Sequence, residues 1–289
     1  MKKPVLLSVL SILVLGLYVY LSDARVVGLS ILNSSLKIAN SYEVVKDVAY
    51  GPDEWQKLDV YPQPGDESAP VVVFIHGGAW YWGSKELYYF AAEAFLRLGY
   101  TVVVPDYVKY PEGRFPSFVE DGARALAWTK ANISQYSGDP NRLFLSGHSA
   151  GAHTGALLMT DKHYLNNVGL NPSDVQGFAG IAGPYNFTPE WPQYIETFGK
   201  ENFEAMKASS HVDGSESPQL LLHAKGDSAV GIFNQETFQK DLENKGSPVD
   251  TILYDETVGH NLILLKLHPW FADQTDVAKD IDLFFKKLM

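Results

Sequence analysis

The chain contains no cysteine among its 289 residues, which removes disulfides, thiolate metal sites and cysteine nucleophiles from consideration. That absence leaves the redox compartment open. Basic residues are also scarce: 23 Lys and Arg stand against 34 Asp and Glu, for a formal net charge of −11. No run of basic residues exceeds two, so the chain offers no electrostatic footprint for nucleic acid. Internal repeats and low-complexity tracts are missing as well. What is present, 46% apolar residues with 16 Tyr, 15 Phe and 6 Trp, is enough for a sizeable core in one large domain.

Charge is absent from residues 5–21, a nearly all-apolar run of 17 residues. At about 1.5 Å per helical residue it reaches roughly 25 Å, the lower end of what spans a hydrocarbon core. The expectation is an N-terminal transmembrane helix within residues 1–23. The alternative is a signal segment cleaved near Ala24, because Ser22-Asp23-Ala24 has the small-x-small pattern of a cleavage site. Two lysines precede the run and only Arg25 follows closely, so the positive-inside bias puts the remaining chain on the exported side in both cases. Residues 24–41 carry Val26, Val27, Leu29, Ile31, Leu32, Leu36 and Ile38 and read as an amphipathic helix or a packed linker. Asn33, Asn132 and Asn186 each open an N-x-S/T pattern, which matters only in a eukaryotic secretory pathway.

From residue 42 to 289 short β-rich runs alternate with helical ones, the pattern of a mostly parallel sheet with helices on both faces. Residues 43–50 and 57–61 alternate polar and apolar around Gly51-Pro52-Asp53 and read as an edge hairpin. Continuous apolar runs at 71–75, 101–104, 142–145, 175–181, 219–223 and 250–253 read as buried strands. Helical stretches fall at roughly 85–98, 116–132, 150–159, 232–245 and 272–288.

Between the strand at 142–145 and the helix from Ala150 lies Gly147-His148-Ser149-Ala150-Gly151. A serine lifted clear of a sheet on a tight strand-to-helix turn needs such small neighbours, so Ser149 is the candidate nucleophile. A serine before a helix is more often just a cap, but the strand–turn–helix context favours the nucleophile. After the strand at 71–75 comes His76-Gly77-Gly78-Ala79-Trp80. The backbone N–H groups of Gly78 and Ala79, with that of Ala150, are the candidate oxyanion donors; loss of one such donor costs on the order of 10²-fold in rate. Alone, the His-Gly-Gly sequence reads equally well as an ordinary turn.

A hydroxyl at neutral pH needs a base, and His260, on the loop after the last strand run, is the candidate. His268 is the rival. Asp227, in Gly226-Asp227-Ser228 after the run 219–223, is the candidate acid that orients His260, with Asp255 as the alternative. Trp80, Tyr81 and Trp82 read either as pocket wall or as core. His148 and Tyr185 are further pocket candidates. His148 and His153, five residues apart, do not share a helix face and have no acidic partner, so no metal site is expected.

Taken together, Leu58-Asp59-Val60-Tyr61, the His76–Trp80 loop, the sequence around Ser149 and Asp227 with Val230 resemble the carboxylesterase and lipase-like branch of the α/β-hydrolases. Within it they are similar to prenylcysteine methylesterases, kynurenine formamidases and hormone-sensitive-lipase-like esterases. The resemblance covers nearly everything from residue 42 onward and implies the α/β-hydrolase fold, a Ser149–His260–Asp227 triad and no cofactor. Where many relatives carry a third glycine, this chain has Ala79, which keeps the N–H and adds a methyl group. Ahead of residue 42 only the apolar run and a short helix can be read, not the sizeable cap domain typical of the hormone-sensitive-lipase branch, so a rather open site is expected, apart from an insertion at 189–212. The implied activity is hydrolysis of a small, mainly apolar ester. The alternatives are an aryl formamide or amide hydrolase, and an inactive membrane-tethered binding protein.

Overall fold

The buried apolar runs assemble one sheet. Its strands are β1 (Val45–Ala49), β2 (Lys57–Tyr61), β3 (Ala69–Ile75), β4 (Thr101–Pro105), β5 (Gly138–His148), β6 (Gly177–Ile181), β7 (Gln219–Ala224) and β8 (Val249–Tyr254). This computed structural model describes residues 24–39, 42–65, 67–272 and 276–289. The expected membrane segment at 1–23 lies outside the described residues, and among those described no helix is long and apolar enough to cross a membrane.

The spatial order is β1-β2-β4-β3-β5-β6-β7-β8. The β1–β2 hairpin and its junction with β4 are antiparallel, and all other pairings are parallel. In β3, Val71, Val73 and Ile75 join the core on one face of the sheet, while Val72 and Phe74 join the core on the other. A strand apolar on both sides can rest only inside two helical layers. Four helices supply one layer: α3 (Ser117–Asn132), α4 (Ala150–Thr160), the short α5 (Lys162–Asn166) and α7 (Phe233–Lys245). The other is built by α2 (Tyr89–Leu96) and α9 (Val277–Lys286).

Strand β3 lies between β4 and β5, so the chain leaves it in one direction and later crosses back to its other side. The helix after β3 packs on one face and the helix after β5 on the opposite face. Their diverging loops open a crevice at the carboxyl ends of these two strands, the place where such sheets hold ligands.

Several expected boundaries move. The helix anticipated at 85–98 starts as a 3-10 turn, Lys85–Tyr88, before α2. Lys85 is drawn under the sheet edge, where its Nζ meets Asp47 at 2.7 Å and Asp59 at 2.8 Å. The last helix shortens to Val277–Lys286, and a short helix α8 (His260–Leu265) appears where a loop was expected. The insertion at 189–212 holds helix α6 (Pro192–Phe198).

Residues Ala24–Ala39 form helix α1, packed on the domain. Leu36 enters the core, and Asn33 pins the helix: its Nδ2 donates to the carbonyls of Glu86 at 3.1 Å and Leu87 at 3.0 Å, while its Oδ1 accepts from the Phe90 amide at 3.0 Å. With its amide saturated and only 4% of its surface exposed, Asn33 cannot carry a glycan in this fold.

Candidate active site

Ser149 stands between the end of β5 and the start of α4 with φ 54° and ψ −118°. For a residue with a Cβ this backbone costs on the order of 1–3 kcal/mol. Its surroundings enforce it: the Ser149 amide donates to the Ile181 carbonyl at 2.8 Å, and the His153 amide donates to the Ser149 carbonyl at 3.0 Å. A Cβ on Gly151 would lie 2.0 Å from the Ile75 carbonyl oxygen, so only glycine lets α4 begin against the end of β3.

His260 opens α8 and points its Nε2 at the Ser149 Oγ, 2.9 Å away. Its Nδ1 lies 2.7 Å from Asp227 Oδ2. Asp227 divides its oxygens: Oδ1 accepts from the Ala229 and Val230 amides at 2.9 and 2.8 Å, leaving Oδ2 for the imidazole. Burial pushes this carboxyl up, but the hydrogen bond from His260 and the two amides outweigh it and hold the group below the usual carboxylate range. An ionised Asp227 accepts only, so it selects the Nδ1–H tautomer and leaves Nε2 free to receive a proton from serine. His223, which the sequence did not single out, meets the Val230 carbonyl at 3.0 Å and braces the turn that carries Asp227.

The rivals are elsewhere. His268 is fully buried beneath α1, with Nε2 3.4 Å from Ser35 Oγ and Nδ1 accepting from the Trp270 amide at 3.1 Å. Asp255 spends Oδ1 on its own turn, accepting from the Thr257 amide at 2.9 Å.

The loop after β3 is held rigidly. The His76 ring is stacked between Tyr88 and Tyr107, and its nitrogens meet the Gly77 carbonyl at 2.7 Å and Asp106 Oδ1 at 3.1 Å. Gly78 has φ 127°, and a Cβ there would stand 1.9 Å from the Trp82 carbonyl oxygen. Ala79 and Trp80 follow at φ 54° and 62°. Gly78 and Ala79 thereby share one pocket wall with Ser149, while Ala150, 1% exposed, begins the helix immediately behind it.

Above these groups is a cavity of about 760 Å³, within the roughly 300–1,000 Å³ of small-molecule sites. Its walls are mainly apolar: Leu29, Leu32, Phe187, Tyr194, Val230 and Leu264 among them. Trp80 is both wall and core, 3% exposed, stacked on Phe187 and edge-on to Phe198. Tyr81 and Trp82 also line the cavity. The insertion contributes Tyr194, and it is anchored by the Met206 carbonyl, 2.7 Å from His153 Nε2.

Tyr185 corrects the sequence reading. It is 1% exposed, absent from the pocket wall, and packed on Phe238, because the backbone after Gly183 turns its ring into the core beside α7. His148 does line the pocket: its Nε2 lies 3.1 Å from the His260 carbonyl, and burial, aided by the neighbouring His260, lowers its pKa to about 3. It is therefore a neutral donor that fastens the His260 backbone to the turn at Ser149.

Helix α1 adds a wall on one side of the site that was expected to be rather open. Arg25, Gly28, Leu29, Ile31 and Leu32 form a wall of the cavity, and the Arg25 guanidinium lies 4.5 Å from the Trp82 ring centroid. The apolar spacing in 24–39 announced a packed helix but not the surface it would meet.

A protein-family model described as BD-FAE matches residues 58–242. Over 257 residues the chain is 28% identical to an isoprenylcysteine alpha-carbonyl methylesterase of Arabidopsis thaliana, covering 79% of this chain and 60% of that protein. It is 29% identical over 238 residues to esterase LipQ of Mycobacterium tuberculosis, covering 73% of this chain and 55% of that one. The chain thus spans between half and three fifths of the length of these curated relatives. Among solved structures, esterase B from Lactobacillus rhamnosis, inhibited by a tributyrin phosphonate, superposes with a TM-score of 0.74 at 17% identity. That superposition covers 92% of this chain and 96% of the other, a likeness of fold.

Proposed function

The chain belongs to the BD-FAE family, among carboxylesterase-like proteins of the α/β-hydrolase fold, and from that premise we propose that it hydrolyses carboxylic esters through an acyl-Ser149 intermediate. The observation that carries this reading is the unbroken chain from Ser149 Oγ to His260 to Asp227, at 2.9 and 2.7 Å, opening into a mainly apolar cavity.

In this mechanism Ser149 Oγ attacks the ester carbonyl as His260 Nε2 takes its proton. Asp227 stabilises the imidazolium that forms. Negative charge moves to the carbonyl oxygen, and the amides of Gly78, Ala79 and Ala150 stabilise it as fixed dipoles that need no reorganisation. Collapse expels the alcohol, which leaves with the proton from His260. Water then attacks the acyl-enzyme, giving up its proton to His260, and release of the acid restores Ser149. The apolar wall suits a substrate with an apolar acyl or alcohol part.

The test is turnover of p-nitrophenyl esters from acetate to palmitate by the full chain and by Ser149→Ala. The variant is expected to lose on the order of 10⁴-fold or more in kcat while keeping its melting curve. Faster turnover of an aryl formamide than of the matching aryl ester would move the chain to the amide class. Turnover by neither protein, with no fluorophosphonate labelling of Ser149, would leave an inactive binding protein.

We further place the domain on the exported side of a membrane, held by the uncharged run 5–21 that follows Lys2-Lys3. Retention in the membrane fraction after an alkaline wash is the expected result. A soluble chain starting near Ala24 would instead reveal a cleaved signal.

A further inference from the structure

Large apolar side chains left in solvent gather at the mouth of the cavity. Ile31, Tyr81 and Phe233 line it while 60, 39 and 51% exposed, and Trp270, 66% exposed, adjoins the lining residue Phe271. They come from four separate stretches: α1, the loop after β3, the start of α7 and the segment after α8. A rim of this kind marks a surface that meets another apolar phase. A net charge of −11 gives no electrostatic attraction to anionic headgroups, so contact with lipid would rest on apolar insertion, with Trp and Tyr at the level they favour.

The occupant follows from the chain itself. The uncharged run 5–21 ends three residues before Ala24, where α1 begins, and Arg25 in the first turn of α1 already lies over Trp82 in the pocket wall. In the sequence, an apolar segment of near membrane-spanning length therefore precedes the pocket-lining residue Arg25 by only a few positions. We propose that this mouth docks on a lipid bilayer surface and that the substrate is an ester dissolved in the bilayer, which enters the pocket without crossing water. The substrate half of this statement rests on the hydrolase reading; the docking half does not.

The absence of cysteine supplies the probe. Ile31→Cys and Trp270→Cys place single spin labels on the rim. Lys245→Cys is the control, since Lys245 ends the helix whose first residue, Phe233, lies at the mouth, roughly 18 Å away along the axis. With each full-length chain reconstituted in phosphatidylcholine vesicles, the labels at 31 and 270 should be relaxed more by oxygen than by a water-soluble nickel chelate, and the label at 245 the reverse. Nickel access at 31 and 270 equal to that at 245 overturns docking whatever the catalytic result. Entry is tested with Trp270→Ser: turnover of p-nitrophenyl palmitate dissolved in the vesicles should fall about tenfold, with turnover of aqueous p-nitrophenyl acetate kept. Equal changes in the two overturn lateral entry, and loss of both substrates in the wild type breaks the hydrolase reading alone.

Discussion

The floor of the pocket and its mouth differ in how they are made. At the floor, Ser149 and the loop from His76 to Ala79 sit on the ends of β5 and β3, where backbone atoms crowd one another and non-glycine residues are held at positive φ. At the mouth, Ile31, Phe233 and Trp270 reach in from distant stretches and stand more than half exposed. The floor is set by distances that tolerate no added methyl group. The mouth is set by apolar bulk, which can change in size without changing in kind. On the proposed function, the difference separates what would fix the reaction from what would select its object.

Substitutions at the two levels should therefore differ in scale. Gly151→Ala drives a Cβ into the Ile75 and His76 carbonyls, and should cost more than about 4 kcal/mol in denaturant unfolding or prevent folding altogether. A tolerated alanine would mean that the elbow relaxes far more than its contacts allow.

The next effect belongs to Asp106. Burial pushes its carboxyl up, but the hydrogen bond from His76 and the charge of Lys109 win and bring it down from 3.8 to about 2. A carboxyl depressed in the folded state contributes stability that is complete above its unfolded value and is lost as pH falls through the folded one. Wild-type stability should thus decline by on the order of 2 kcal/mol between about pH 4 and pH 2 through this group. Asp106→Asn should flatten that part of the curve, as read by urea unfolding across the pH range.

At the mouth the effects shrink. Leu32→Trp fills part of the cavity from α1 and should lower the preference for palmitate over acetate by about tenfold, with acetate turnover retained. Arg25→Ala removes the cation over Trp82, a contact worth about 0.5–1 kcal/mol, and should raise KM about two- to fivefold. A large loss of kcat from either change would place α1 in the chemistry rather than around it.

Legibility in the sequence follows the same division. The elbow glycines, the His76-Gly77-Gly78 loop and the strands that precede them are contiguous, because local backbone constraints leave local patterns. His260 and Asp227 could be placed because each follows a strand run in a fixed chain order. Nothing local marks Tyr88, Tyr107 and Asp106 as the brace of His76, since they meet it only once β3 and β4 pair. Tyr185 misled for the complementary reason: its position after β6 is right for the site, but its ring direction is decided by packing on Phe238. Helix α1 was visible as an apolar helix and invisible as a wall, because its partners lie more than fifty residues away.

The three hydrogen bonds of Asn33 bear on where the protein can be cut. A soluble fragment designed to start at residue 42, where the regular strand–helix alternation begins, would discard the latch and the wall together, exposing Leu36's seat in the core and leaving the cavity open on the side of Trp82. A fragment that begins before Ala24 keeps both. The amide latch, 24 residues before β2 begins, therefore belongs to what any shortened chain has to keep.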